Sequence, residues 1–398
     1  MERSATSMSQ QGRRLLYIDG YTSSADTSAP SSSDSIGYGI TASRAIRSEL
    51  KTMGYEIARS TSYMPRRRPG SAIRARSEWI FDTYGAILEC LSTDDPDLIF
   101  LFHAFQAFPA EILRTLFDLE LRVPLIGYTH GSHWDNTDLF RHDRYPRLEF
   151  ADLGNLYAMD RVFVASRYMK QTLHDNIEAL NSDLAAVIDD KIRIVGLPID
   201  IHAIDASRTS RRFPRTSIVY NHAPIASKDP ALFLEAITEV LRSRDVDVLF
   251  TRKLPSHGPV RARALALGSQ YPGRLHFGDD LPIDDYYQWL WMADIQVSTA
   301  FHESLGISTL EAMYTGNCCI LPRIGSYPEL CDGDEEVLYD RSADQLIDRL
   351  CLMIDSGKRR NDLGARMRKL ACRYTPDRVA RSIDSAIAEL LLPEHGQR

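Results

Sequence analysis

Ten short apolar runs rich in β-forming residues recur along the chain, separated by stretches with helical spacing, and this ordered alternation leaves few folds open. Residues 14–18 (RLLYI) begin it, a loop rich in Ser, Asp and Gly follows, and an amphipathic run covers 40–53. Further strands are expected at 97–102, 123–129, 160–166 and 192–195. A second series starts at 217–221 and continues at 245–251, 274–277, 294–299 and 318–322. Strands alternating with helices build parallel sheets covered on both faces. Between the two series, GLPID (196–200) and an arginine-bearing stretch (206–216) read as a linker. A chain of 398 residues also exceeds what one core normally holds. The expected fold is therefore α/β, with two doubly wound Rossmann-like domains facing a cleft. Ligands are expected outside the carboxyl ends of the strands.

Charge and cysteine content narrow the function. The formal net charge of −7 excludes a generally basic nucleic-acid coat. One local cluster stands apart: residues 66–76 carry Arg66, Arg67, Arg68, Arg74 and Arg76 with no acid. It reads either as a phosphate or nucleic-acid contact or as a solvated loop. The six cysteines show no metal-site spacing and read as reduced thiols of a cytosolic protein. No apolar run reaches the roughly 18–20 residues a bilayer span needs. The polar start lacks the apolar core of a signal peptide. Residues 1–13 are expected to be disordered, and the protein is expected in the cytoplasm.

The chemistry concentrates in residues 293–330, ADIQVSTAFHESLGISTLEAMYTGNCCILPRIGSYPEL. The pattern is strand, glycine-bearing loop, helix, glycine, strand and a second glycine loop. Backbone N–H groups of Leu305, Gly306 and Ile307 can face a diphosphate at a helix N-terminus, where the dipole favours an anion. Gly306 allows close backbone approach. Glu303 and Glu311 can accept hydrogen bonds from hydroxyls, which sugar and ribose both supply. Glu311 also completes a Ser-x-x-Glu pattern with Ser308, so a capping box is its plainer reading. His302 reads as a loop residue beside the pocket with no catalytic role. In SIVYNHAPIASKDP (217–230), Lys228 lies just before a helix, where it can neutralise a leaving diphosphate.

These motifs resemble the family-four retaining glycosyltransferases, whose mark is two glutamates separated by seven residues, followed by a small-residue helix, Gly and a Gly-x-x-Glu-like loop. The resemblance implies the two-lobed GT-B type of fold. By it, residues 14–205 are the acceptor domain and 206–375 the nucleotide-sugar domain, with 376–398 crossing back to the first lobe. Glu303 would hold the donor sugar's hydroxyls and Glu311 the ribose diol, with Gly325, Ser326 and Glu329 flanking the pocket. The family usually carries arginine six positions before the lysine; here that position is His222. Asn-His followed by Lys-Asp-Pro, with DDYYQWLWMADIQVSTAFHESLG, is similar to the C-terminal half of the tRNA-queuosine mannosyltransferases. In PLIGYTHGSHW (124–134), His130 would face the donor sugar from the first lobe, with His133 and Trp134 toward the acceptor. Gly37 and Gly39 fall where the family keeps a glycine loop near the phosphates. Leu281 would offer backbone contacts to the nucleobase.

The implied activity is metal-independent hexosyl transfer with retention, from a UDP- or GDP-linked donor to an acceptor hydroxyl. Glu303, Lys228 and His130 are the catalytic candidates. His222, Leu281, Gly37, Gly39, Leu305, Gly306, Ile307 and Glu311 are the donor-binding ones. No resident cofactor is expected, and Asp95–Asp97, Asp245–Asp247 and Asp332–Asp334 read as solvated turns, not metal sites. A small-molecule or saccharide acceptor is preferred to tRNA, and a homodimer is compatible with the sequence. The rivals are another nucleotide-sugar enzyme, such as an epimerase, and a catalytically silent sugar-nucleotide-binding homologue.

Overall fold

Two six-stranded parallel sheets account for the alternation. The structure is a computed structural model that describes residues 12–18, 38–59, 96–102, 123–129, 133–137, 147–279 and 281–391. The first sheet holds β1 (Arg14–Ile18), β2 (Glu56–Arg59), β3 (Leu98–Leu101), β4 (Leu125–Thr129), β5 (Arg161–Val164) and β6 (Ile192–Ile194) in the order β2-β1-β3-β4-β5-β6. The second holds β7 (Thr216–Tyr220), β8 (Val246–Phe250), β9 (Leu275–Phe277), β10 (Ile295–Val297), β11 (Cys318–Pro322) and β12 (Leu338–Tyr339) in the order β12-β11-β10-β7-β8-β9. Both are wound outward from their first strand, as a doubly wound fold requires.

The apolar runs are continuous because these strands are covered on both faces. Along β1 and β3, Leu15, Tyr17, Leu98 and Phe100 enter one buried cluster, while Leu16, Ile18, Ile99 and Leu101 enter another. The period of two divides each strand between two helical layers. Two strands went unread in the sequence: β2 and β12, each at a sheet edge. EIAR mixes polar with apolar residues and β12 has two residues, so neither leaves a buried-strand signature.

Among the described residues, the first lobe contributes α1 (Tyr38–Thr52), α2 (Arg147–Ala158), α3 (Arg167–Leu180) and α4 (Ser182–Lys191). The linker forms α5 (Ile201–Ala206). The second lobe adds α6 (Pro230–Ser243), α7 (Pro259–Gln270), α8 (Ile283–Met292), α9 (Ile307–Tyr314), α10 (Tyr327–Leu330), α11 (Ala343–Asp355) and α12 (Gly357–Ala371). The last helix, α13 (Pro376–Leu391), packs against α1. It buries Val379, Ala380, Ile383, Ala386 and Ile387 along one stripe, each Val or Ile contributing roughly 1.5–3 kcal/mol. Tyr55 at the entry to β2 donates its hydroxyl hydrogen to Asp384 at 2.6 Å. Among the described residues no helix is long and apolar enough to cross a membrane.

The GLPID segment between the sheets is packed into the core. Leu197 and Ile199 are buried, Tyr128 donates to the Gly196 carbonyl at 2.7 Å, and the Ile199 N–H donates to the Tyr374 carbonyl at 3.0 Å. Asp247 is not in a solvated turn. It is fully buried in β8, where Arg215 and His276 hold its carboxylate.

Candidate active site

The second sheet changes winding direction between β7 and β10, which are neighbours although β8 and β9 lie between them in sequence. Crevices of doubly wound sheets form at such switch points, beyond the strands' carboxyl ends. The loops that follow β7 and β10 carry Lys228 and Glu303. They are tied to each other: the Phe301 N–H donates to the Ser227 carbonyl at 2.9 Å, and Thr299 Oγ1 donates to the Lys228 carbonyl at 2.7 Å. The Tyr220 hydroxyl donates to the same carbonyl at 2.8 Å. Lys228 Nζ then lies 2.7 Å from Glu303 Oε2 and 3.2 Å from the His302 carbonyl oxygen. Tyr327 donates to Glu303 Oε2 at 3.3 Å.

The second glycine loop fixes Glu303 from the other side. The Ser326 N–H donates to the Glu303 carbonyl at 3.2 Å. Gly325 has φ +51, and a Cβ there would collide with that same carbonyl oxygen. Glycine is the residue this approach permits. Gly306, at φ +91, is the N-cap of α9, and no side chain caps the helix. The N-terminus of α9 therefore presents its first N–H groups beside Glu303, with Leu305 buried beneath.

Glu311 is not a capping-box residue. Because α9 starts at Ile307 with Gly306 as its cap, Ser308 already lies inside the helix. The Glu311 carboxylate instead accepts the hydroxyls of Tyr286 at 2.6 Å and Tyr287 at 3.2 Å, both from α8. Burial raises its pKa above the ordinary carboxyl value, against the opposing pull of Tyr286, Arg252 and Tyr287. Nothing in the local sequence pattern points to these two tyrosines or to Arg252. Arg252 lies with its guanidinium carbon 4.5 Å from the Tyr286 ring centroid.

His222 lies two residues beyond the end of β7 and is buried. The Gln296 side-chain amide donates to its Nε2 at 3.2 Å. Burial first, then the charges of Lys228 and Arg252, pushes its pKa well below 6.5. It is a neutral imidazole and does not replace an arginine's charge. Leu281 lies beyond β9 and packs against Gly278, at the same carboxyl edge of the sheet. Gly39 is buried in the first turn of α1. His130, Gly37 and the arginines at 66–68, 74 and 76 lie outside the described residues.

Among the described residues, the first lobe reaches this site through Ser166, the start of α3 and the Asp135–Thr137 segment. Ser166 donates to the Ser304 carbonyl at 2.6 Å. The Glu329 carboxylate accepts the N–H groups of Arg167 at 3.0 Å and Tyr168 at 3.5 Å, at the start of α3. His302 Nδ1 lies 2.8 Å from Thr137 Oγ1 and 3.2 Å from Asp135 Oδ2. Burial would raise the Asp135 pKa, but bonds from His302, Thr137 and Tyr168 hold it well below the ordinary range. His133, expected on the acceptor side, pairs with buried Asp152 at 2.5 Å, next to buried Trp134. Among the described residues no cluster of three or more His, Cys, Asp or Glu side chains is arranged to hold a metal ion.

Residues 218–356 match the family model described as glycosyl transferases group 1, a stretch that includes most of the second lobe and Lys228, Glu303 and Glu311. Solved structures share the fold along nearly the full chain. Sucrose-phosphate synthase from Thermosynechococcus elongatus aligns with a TM-score of 0.69 at 12% identity, over 95% of this chain and 99% of that one. The catalytic domain of starch synthase IV from Arabidopsis thaliana, bound to ADP and acarbose, aligns at 0.67 and 12% identity, over 96% and 99%. A Listeria monocytogenes protein assigned as UDP-N-acetylglucosamine 2-epimerase aligns at 0.60 and 16% identity, over 95% and 96%. The two doubly wound lobes are thus the GT-B architecture.

Proposed function

We propose that this chain is a family-four-type retaining hexosyltransferase that moves a sugar from a UDP- or GDP-linked donor to an acceptor hydroxyl without a metal. The observation that carries the reading is the Lys228–Glu303 pair, held at the switch point beside the uncapped start of α9. A leaving diphosphate needs donors placed where its charge grows, and Lys228 with the N–H groups of Leu305, Gly306 and Ile307 answers that need. Glu303 would accept from the sugar hydroxyls, and Glu311 from the ribose diol once its tyrosine partners share it. His130 would meet the sugar from the first lobe, and Leu281 the base.

In this reaction the bond from the anomeric carbon to the phosphate oxygen breaks while a bond to the acceptor oxygen forms on the same face. The acceptor's proton passes to the departing phosphate oxygen. We assign no side chain the role of covalent nucleophile; orientation and preset electrostatics supply the rate. The family-model match supports a nucleotide-sugar donor, and the fold shared with a starch synthase domain bound to ADP and acarbose is in keeping with a nucleoside diphosphate as leaving group. The net charge favours a small-molecule or saccharide acceptor over tRNA, and we expect the protein to act in the cytoplasm.

A second reading, an epimerase acting on the sugar while it stays on the nucleotide, draws on the fold shared with the Listeria protein. Proton NMR of the first-formed product separates the two. Transfer with retention keeps the donor's anomeric configuration in a new glycoside, inversion overturns the retaining mechanism, and an altered sugar still attached to nucleotide establishes the epimerase.

A further inference from the structure

His222 and Arg252 stand at the same height on adjacent strands. Strands β7 and β8 pair in parallel with Tyr220 opposite Phe250, and each residue lies two positions beyond its strand's paired end. Only one of the two carries charge. His222 is buried, accepts from Gln296 through Nε2, and is held neutral. Lys228, the other cation of this loop, already shares its ammonium with Glu303 and the His302 carbonyl.

Arg252 is held differently. Its guanidinium lies over the Tyr286 ring, and the Tyr286 hydroxyl is bonded to Glu311. One guanidinium N–H is also hydrogen-bonded to the Tyr286 side chain, and the other donors of the five-donor fork are available to meet an anion. Burial opposes its charge, but Tyr286, Glu311 and Tyr287 favour it, so the group stays protonated. A cation thus lies close enough to act on both the neutral His222 and the Glu311 carboxylate, one strand from the loop that carries Lys228.

We infer that Arg252 is a donor-binding residue that contacts the nucleoside diphosphate, supplying from β8 the charge that position 222 lacks. This rests on the nucleotide-sugar reading above. A fork of N–H donors suits phosphate oxygens and has little to offer a neutral base or ribose. The stack on Tyr286 fixes the fork before ligand arrives, so little rotamer freedom is lost on binding.

Calorimetric titration of UDP, GDP and ADP, and of the matching nucleosides, into the full chain tests this. Arg252→Gln is expected to weaken the bound diphosphate by roughly 10- to 100-fold, the scale of a lost hydrogen bond to a charged group, with nucleoside affinity unchanged. Arg252→Lys, which keeps the charge but loses the fork, is expected between wild type and Gln, and it decides the matter if the Gln variant does not fold. Equal loss of diphosphate and nucleoside affinity, or a Lys variant no different from wild type, overturns the inference. If wild type binds a diphosphate and the Gln variant binds it as tightly, this inference alone fails. If wild type binds none of the three diphosphates, the nucleotide-sugar reading fails and takes this one with it.

Discussion

The Lys228 ammonium and Glu303 Oε2 stand 2.7 Å apart, although 75 positions separate them in sequence. Neighbouring strands β7 and β10 bring them together, and a backbone bond from Phe301 to Ser227 holds their loops in contact. Both side chains are mostly covered, with exposures of 19% and 14%. Under the proposed function, this partly exposed pair is where the leaving diphosphate and the donor sugar's hydroxyls would meet.

Replacing Lys228 with Ala should therefore lower turnover by on the order of 10²–10³, as for loss of one preorganised donor. The effect should fall on kcat more than on KM, because the charge it meets grows as the diphosphate leaves. Steady-state kinetics check this. Near-normal turnover would leave Lys228 as a partner of Glu303 and nothing more.

Glu311 offers a test by both affinity and pH. An amide gives Tyr286 and Tyr287 one acceptor and one donor where the carboxylate gives two acceptors, and it meets a ribose diol as poorly. Glu311→Gln should weaken donor use by roughly 1.5–3 kcal/mol. Burial raises the carboxyl's pKa above 4.5, so the folded chain holds its proton more tightly than the unfolded chain does. Ionising it therefore costs stability as pH rises from about 4.5 through the raised folded value. The melting temperature of Glu311→Gln relative to wild type should climb across that interval. A flat difference would mean the carboxyl titrates in the fold as it does in the unfolded chain.

The strand–helix alternation was readable because strands covered on both faces are apolar throughout, and it located ten of the runs the sheets use. Edge strands β2 and β12 escaped, being short or half polar. Glu303 and Lys228 were visible as residues in loops after strands, but their contact depends on sheet order, which no local pattern encodes. The capping-box alternative for Glu311 fails for a local reason. The Ser308–Glu311 spacing imitates a capping box, while the true start of α9 is set by Gly306 at φ +91. Its real partners, Tyr286 and Tyr287, come from another helix, as Glu329's partners at Arg167 and Tyr168 come from another lobe. Arg252 was within reach: counting two residues past each strand end places it opposite His222.

The interlobe contact at Glu329 predicts a conformational effect. Its carboxylate accepts N–H groups at the start of α3, a cap supplied from the opposite lobe. Glu329→Ala should cost about 0.5–2 kcal/mol of stability, as caps do, and should let the lobes separate. Small-angle scattering should then show a larger radius of gyration than wild type. An unchanged radius together with unchanged melting would mean that the other interlobe bonds suffice.

Catalysis through Lys228 and the α9 N–H groups predicts that turnover survives chelation. Activity in EDTA should equal that in magnesium or manganese. Full loss in EDTA, restored by either ion, would place a metal where the account puts the lysine.

The central claim is that this crevice binds a nucleotide sugar and releases its diphosphate. It is tested most directly by incubating wild type and Glu303→Gln with a panel of UDP- and GDP-linked hexoses, without acceptor, and measuring free nucleoside diphosphate. The account predicts slow release from at least one donor by wild type, through hydrolysis, and strong loss of that release in the variant. Release that Glu303→Gln leaves intact, or no release and no binding of any donor, would contradict it.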